Sequence, residues 1–314
     1  MSPRTDVDLG ERGLAQRFVR GKGIEIGAAH RPVQVDPAFC SVTYLDRLSA
    51  MQLTKRFPEL AADEIMSPDI ICDVAATGLS CIQDGKLDFV IASHLLEHLP
   101  NPLGFLLECH RVLRPSGILL LMVPDKNYTF DRDRQITPLA HIVHDLKNNT
   151  TAIDEEHLID FIVHAAKQTV PKGSRQRRKM FQRELDRSIH VHVWSCNELI
   201  ELLEYVVGQE ATSWVLCELF LPKDIKDESI VVLRKTSADT AQALAHFRQN
   251  AVALVARETV VQSLLQDPEP ADGQPEAEEG LPARIYRTGH RLLARLHRRS
   301  EEPVTADTNT GEGA

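Results

Sequence analysis

Four short apolar runs, each closing on a small or acidic residue, constrain this chain most. They are Ile24-Glu-Ile-Gly27, Val42-Thr-Tyr-Leu-Asp46, Ile70-Ile-Cys-Asp73 and Phe89-Val-Ile-Ala-Ser93. The last pours directly into a polar turn, His94-Leu-Leu-Glu-His98. Runs of this length, separated by helical patterns, read as buried strands of a parallel sheet. Carboxylates spaced along successive strand ends build a nucleoside site at the carboxyl edge of such a sheet. A cofactor-using enzyme is the leading reading.

The alternation of strand and helix continues from Gly21 to about Pro124 and favours helices on both faces of the sheet. Pro100-Asn-Pro102 opens the fourth crossover, and Leu106, Cys109 and Leu113 recur at helical spacing as a buried stripe. Arg114-Pro-Ser-Gly117 stops that helix, and Ile118 to Val123 follows as a continuous apolar strand. The pattern then breaks. Residues 125–189 are polar, rich in histidine and too long for an ordinary connection, which predicts a helical lid inserted after the fifth strand. The sheet is expected to resume at His190-Val-His-Val-Trp194, followed by a helix around Leu199, Leu202 and Leu203. Trp214 to Leu221 and Ser229 to Leu233 read as two last strands, a hairpin at one edge. Residues 1–235 thus form the main domain. Residues 236–265 carry an exposed helix (Ala241 to Leu265), and 266–314 an acidic linker, a basic amphipathic segment (284–299) and a disordered tail.

A net charge of -9 argues against a general nucleic-acid binder. The six cysteines contain no Cys-x-x-Cys pair, and no closely spaced ligand pair of the zinc type is present, so no metal is expected. Asp131-Arg-Asp133 is an isolated Asp-x-Asp match without further ligands. The polar opening, Met-Ser-Pro-Arg-Thr-Asp, lacks the apolar core of a secretion signal, and no apolar stretch approaches the roughly 20 residues that span a bilayer. The expectation is a cytoplasmic protein, peripheral to a membrane or bound to a partner if residues 284–299 rest there.

Two nucleoside cofactors suit a strand-turn-helix opening, a dinucleotide or S-adenosylmethionine. A dinucleotide needs three glycines to bring backbone amides onto its pyrophosphate. The turn Gly27-Ala-Ala-His-Arg-Pro32 has one. S-adenosylmethionine has no pyrophosphate, so the later glycines matter less. Asp46 follows Gly27 by about the twenty residues expected of the acid that accepts from ribose hydroxyls. Asp73 is placed for the adenine amino group with Val74 against the ring, and Glu25 for the methionine part. Each acid alone could equally be a helix cap.

These pieces, with Arg111-Val-Leu-Arg-Pro-Ser-Gly-Ile118, resemble the class I S-adenosylmethionine-dependent methyltransferases over roughly residues 10 to 235, in particular the group that methylates small molecules and sugars. The resemblance implies a Rossmann-like, seven-stranded, mostly parallel sheet. It also implies cofactor contacts from Glu25, Gly27, Ala28, Asp46, Arg47, Asp73, Val74, Ser93, His94 and Leu95. Ser116 stands where that family commonly has a second glycine.

Methyl transfer to a hydroxyl also needs a proton removed, for which histidine suits neutral pH. The candidates are His141, His144, His190 and His192. Alternation in His190-Val-His192 sends both imidazoles to one face. His192 is the favoured base, then His141; His98 is closer to the cofactor motif and suits anchoring the turn equally well. The basic run Lys172 to Lys179 would hold a phosphate or carboxylate on the acceptor, or would simply be a solvated helix face. O-methylation of a small hydroxylated acceptor such as a sugar or glycan intermediate is the expected activity. Its rivals are protein or RNA methylation and a non-catalytic scaffold of the same fold.

Overall fold

The computed structural model describes residues 17–58, 64–209, 212–222 and 227–265, with side chains to residue 255. The acidic linker, the amphipathic segment 284–299 and the tail lie outside the described residues. The strands are β1 (Gly21–Ile26), β2 (Cys40–Asp46), β3 (Ile70–Ile71), β4 (Leu87–Ser93), β5 (Leu113–Pro124), β6 (Trp214–Phe220) and β7 (Glu228–Lys235). They form one seven-stranded sheet in the order β3-β2-β1-β4-β5-β7-β6. The first five strands are parallel; β7 runs antiparallel between β5 and β6. The expected edge hairpin is present.

The core strands are apolar on both sides because both sides are covered. In β4, Val90 and Ala92 enter one cluster while Phe89 and Ile91 enter the other. In β5, Leu119 and Leu121 face the first cluster, and Leu120 and Met122 the second. That is the period-two alternation of a strand with no solvent face. The first cluster is roofed by α3 (Pro102–Val112), α7 (Cys196–Val207) and α8 (Thr240–Leu265). Asn101 caps α3 by accepting from the Gly104 amide at 2.9 Å, and Pro102 stands at its first turn. On the other face, Val19, Val33 and Val35, from segments flanking β1, lie over the sheet. A β-carbon on Gly23 would stand 2.4 Å from the Phe89 carbonyl oxygen, so only glycine lets β1 and β4 pair so closely.

Two expectations are corrected here. Residues 190–194 form no strand; a single parallel bridge joins Trp194 to Asp125. The final helix is not an exposed one either. Ala243, Phe247, Ala251 and Val255, each four residues apart, are fully buried against the first cluster.

Between Asp125 and Ile189 stand α4 (Leu139–Asn148), α5 (Glu155–Asp160), a π-helical turn (Phe161–Ala165) and α6 (Ser174–Arg187). Leu158, Ile162, Phe181, Ile189 and Val191 give this lid a small core of its own. The Arg134 side chain fastens it: its guanidinium donates to Asp160 at 2.7 Å, Asp131 at 2.9 Å and the His190 carbonyl at 2.8 Å. The basic run opens α6, with Arg175, Arg178 and Lys179 exposed. Arg177 pairs with Glu155 at 2.6 Å, the surface pairing expected of a solvated face. No helix of the described residues is long and apolar enough to cross a membrane.

Candidate functional site

The strand register sets the site. Cα partners Ile26 and Leu45, Asp46 and Ile71, and Ile26 and Ala92 align the carboxyl ends of β1 to β4. The next residues along these chains are Gly27, Arg47, Cys72 and Ser93, so the predicted cofactor contacts gather along one edge. Gly27 turns with φ +71°, and nothing lies within 4 Å of where its β-carbon would be. That leaves open space over the turn. Ala29, in place of a glycine, adopts φ 46°, a left-handed conformation that costs an L-residue roughly 1–2 kcal/mol.

Each predicted residue has a definite place. Glu25 is buried and accepts from the Val33 amide at 2.9 Å, which ties the loop after β1 back onto the strand. Asp46 is half-buried and accepts from the Leu48 amide at 2.8 Å; burial raises its pKa above the ordinary carboxylate value. A carboxylate has about four acceptor positions, so capacity remains for a ribose diol. Asp73 is exposed and caps the short helix α2 (Val74–Thr77), accepting from Ala75 at 3.1 Å. Val74 and Leu95 pack at the border of the core, and Ala28 and Ser93 are half-buried. Arg47 reaches across to the lid and donates to the Ser188 hydroxyl at 2.9 Å.

His94 occupies the left-handed region, φ 49°, just past β4. Its ring lies 2.8 Å from Glu228 and 3.5 Å from Glu97. Burial alone would lower its pKa, but the two carboxylates outweigh that and raise it to about 10, so His94 is an imidazolium at neutral pH. Glu97 is buried, which favours its neutral form, yet His94 and the neighbouring imidazoles hold its pKa below the usual value. His98 anchors the turn as expected, donating from Nδ1 to the Ile189 carbonyl at 2.8 Å.

His190 completes this nest. Its Nδ1 is 2.6 Å from an Asp131 oxygen, its Nε2 3.9 Å from Glu97, and its ring 4.8 Å from that of Phe130. Asp131 is itself buried, but His190 and Arg134 keep its pKa depressed. It therefore accepts from Nδ1–H and leaves Nε2 as the basic nitrogen. Sequence reasoning passed over Asp131, Glu97, Glu228 and Phe130. Asp131 did carry a signal, but as half of an Asp-x-Asp match; its companion Asp133 instead pairs with Lys167.

The favoured base is corrected. His192 has no exposed side-chain surface, and burial lowers its pKa to about 3. A ring with no open face cannot meet an acceptor. His141 joins it rather than the strand ends: the two rings lie 5.6 Å apart, with His157 between 5.0 and 5.3 Å from each. The alternation in His190-Val-His192 does hold, since Ile189 and Val191 enter the lid core and the two histidines do not. A separate cleft of about 320 Å³, lined by Val74, Leu99, Asn101 and Glu108 among others, shares only Val74 with the predicted contacts.

A mostly parallel sheet with its acids and an open glycine turn along one carboxyl edge defines a nucleoside-binding α/β domain. Residues 23–121 match the family model described as a methyltransferase domain, and this part of the chain is similar to the S-adenosylmethionine-dependent methyltransferases. A probable S-adenosylmethionine-dependent methyltransferase of Mycolicibacterium smegmatis is 34% identical over 58 residues. That stretch is 18% of this chain and 23% of the relative, so the match spans about a quarter of the relative's length. Among solved structures, a S-adenosylmethionine-dependent methyltransferase of Methanosarcina mazei aligns with TM-score 0.38 and 15% identity over 71% of this chain and 97% of its own. A Rhodobacter sphaeroides protein named provisionally as a zinc-dependent alcohol dehydrogenase aligns with TM-score 0.42 and 15% identity, over 72% and 90%. The cofactor this domain implies is S-adenosylmethionine. The open Gly27 turn and the half-buried Asp46 beside it fit that group.

Proposed function

We propose that this chain transfers a methyl group from S-adenosylmethionine to a hydroxyl of a small acceptor of the sugar or glycan type. The observation that carries the reading is the Asp131–His190 pair, 2.6 Å apart and next to the β4 turn. The cofactor supplies an already activated sulfonium methyl, so the protein has to align the partners, exclude water and take a proton. Asp46 would hold the ribose diol, Asp73 and Val74 the adenine end, and the loop drawn in by Glu25 the methionine end. His190 Nε2 would accept the hydroxyl proton as the oxygen attacks. Asp131 would stabilise the resulting imidazolium and keep Nδ1 protonated throughout, with Glu97 adding negative charge on the other side.

The test is a kinetic comparison with methyl-labelled cofactor and a panel of hydroxylated acceptors. His190→Ala should lower kcat by about 10²–10⁴-fold with cofactor affinity unchanged, the range for losing a general base. Asp131→Asn should also lower kcat and displace the alkaline-rising limb of the pH profile. Full turnover in the alanine variant would remove His190 from the mechanism.

A further inference from the structure

Buried imidazoles and carboxylates almost always find hydrogen-bond partners. One group beneath the lid does not. His192 Nδ1 and Nε2, His141 Nε2 and Asp145 Oδ2 are all enclosed without a hydrogen bond. His141 and Asp145 stand four residues apart on one face of α4, with Asp145 Oδ2 3.2 Å from His141 Nε2 and 3.9 Å from His192 Nε2. His157, on α5, brings the third ring: a donor atom from each of the three histidines lies within 4.8 Å of the others. Its Nδ1 is held at 2.8 Å by Asp154, a carboxylate behind a histidine that leaves Nε2 free and fixes the ring.

We propose that His141, His157 and His192 form a three-histidine site for a divalent transition-metal ion of the zinc class, with Asp145 bracing His141, and that this ion fastens the lid to the sheet domain. Three imidazoles, with a fourth position left to water, suit such an ion and not magnesium or calcium, which prefer oxygen ligands. Tetrahedral bonds of about 2.0–2.1 Å put ligand atoms about 3.4 Å apart. The three histidine donor atoms, within 4.8 Å of one another, would draw in to that spacing around an ion. The neighbouring Glu97, His98 and His190 group is a different case, because His94 already gives Glu97 a cationic partner. The ion would join α4, α5 and the 189–194 segment at one point. Its ligands come from residues 141 to 192, so no short spacing in the sequence announces it.

The full chain, stripped with a chelator and titrated with Zn²⁺ in competition with a chromophoric chelator, should bind about one equivalent. His157→Ala and Asp145→Asn should weaken binding at least tenfold, whereas His144→Ala, an exposed histidine on the same helix, should leave it unchanged. Equal affinity in His157→Ala, or equal loss in His144→Ala, would overturn the assignment. Wild-type protein loaded with Co²⁺ gives a reading free of any folding defect in the variants. An intense tetrahedral visible spectrum supports the site, and a weak octahedral one rejects it. Removing the ion should also speed amide exchange in residues 139–160 but not in β4; unchanged exchange in the lid would reject its fastening role.

Discussion

Side chains at the sheet edge can do two jobs at once. Asp46 and Asp73 each accept a local backbone amide, as strand-end acids often do, so the cap reading and the cofactor reading are compatible. Removing Asp46 separates them. Asp46→Ala should weaken S-adenosylmethionine binding by about 1–3 kcal/mol, because two ribose donors would lose a charged acceptor. Calorimetry reads this directly, and an unchanged Kd would leave Asp46 as a turn residue only. His94 makes a second prediction, through pH. Its folded pKa of about 10 stands above its ordinary 6.5. The stability it contributes is therefore fully present below pH 6.5 and is lost as pH rises through about 10. The thermal advantage of wild type over His94→Gln should shrink across that window, while other titrations cancel in the difference. An advantage that stays flat with pH would mean the ring is not charged.

Elements were legible wherever hydrophobic period decided the matter, and illegible where contact partners did. Ile118 to Val123 could only be a central strand, and Leu106 and Cys109 could only face a core. Residues 190–194 alternate as a strand does, yet their backbone has almost no ladder to join; Val191 and His192 donate to the Glu97 carbonyl at 2.7 and 3.1 Å instead. The final helix misled for the opposite reason. Its buried stripe, Ala243, Phe247, Ala251 and Val255, is half alanine, a weak signal that burial on β6 nevertheless fills. That packing has a measurable weight. Phe247, fully buried in the main core, should cost about 3–5 kcal/mol when cut to alanine. Chemical denaturation would show the midpoint falling with the slope unchanged. A loss under about 1 kcal/mol would mean α8 contributes little to the fold.

At the scale of the whole molecule, the lid and the sheet edge are joined by polar ties that no local pattern encodes. Arg47 meets Ser188, and His98 meets the Ile189 carbonyl. The strand-end half of the candidate site was readable because successive strands bring its residues to one edge in order. The histidine nest was not, since His94, Asp131, His190 and Glu228 come together only when the lid folds back and β7 inserts beside β5. A molecule so arranged should respond to its cofactor as one unit. Ligand that binds only the folded chain stabilises it by about 2.7 kcal/mol at 100 times Kd. For a domain of this size that raises Tm by roughly 5–10 °C, taking about 2–4 °C per kcal/mol. S-adenosylmethionine should therefore produce such a shift in a thermal melt, while NAD at the same concentration should not, because the Gly27-Ala-Ala turn lacks the glycines a pyrophosphate needs. Asp46→Ala should need more cofactor for the same rise. A shift with NAD and none with S-adenosylmethionine would reverse the choice of nucleoside on which the proposed activity stands.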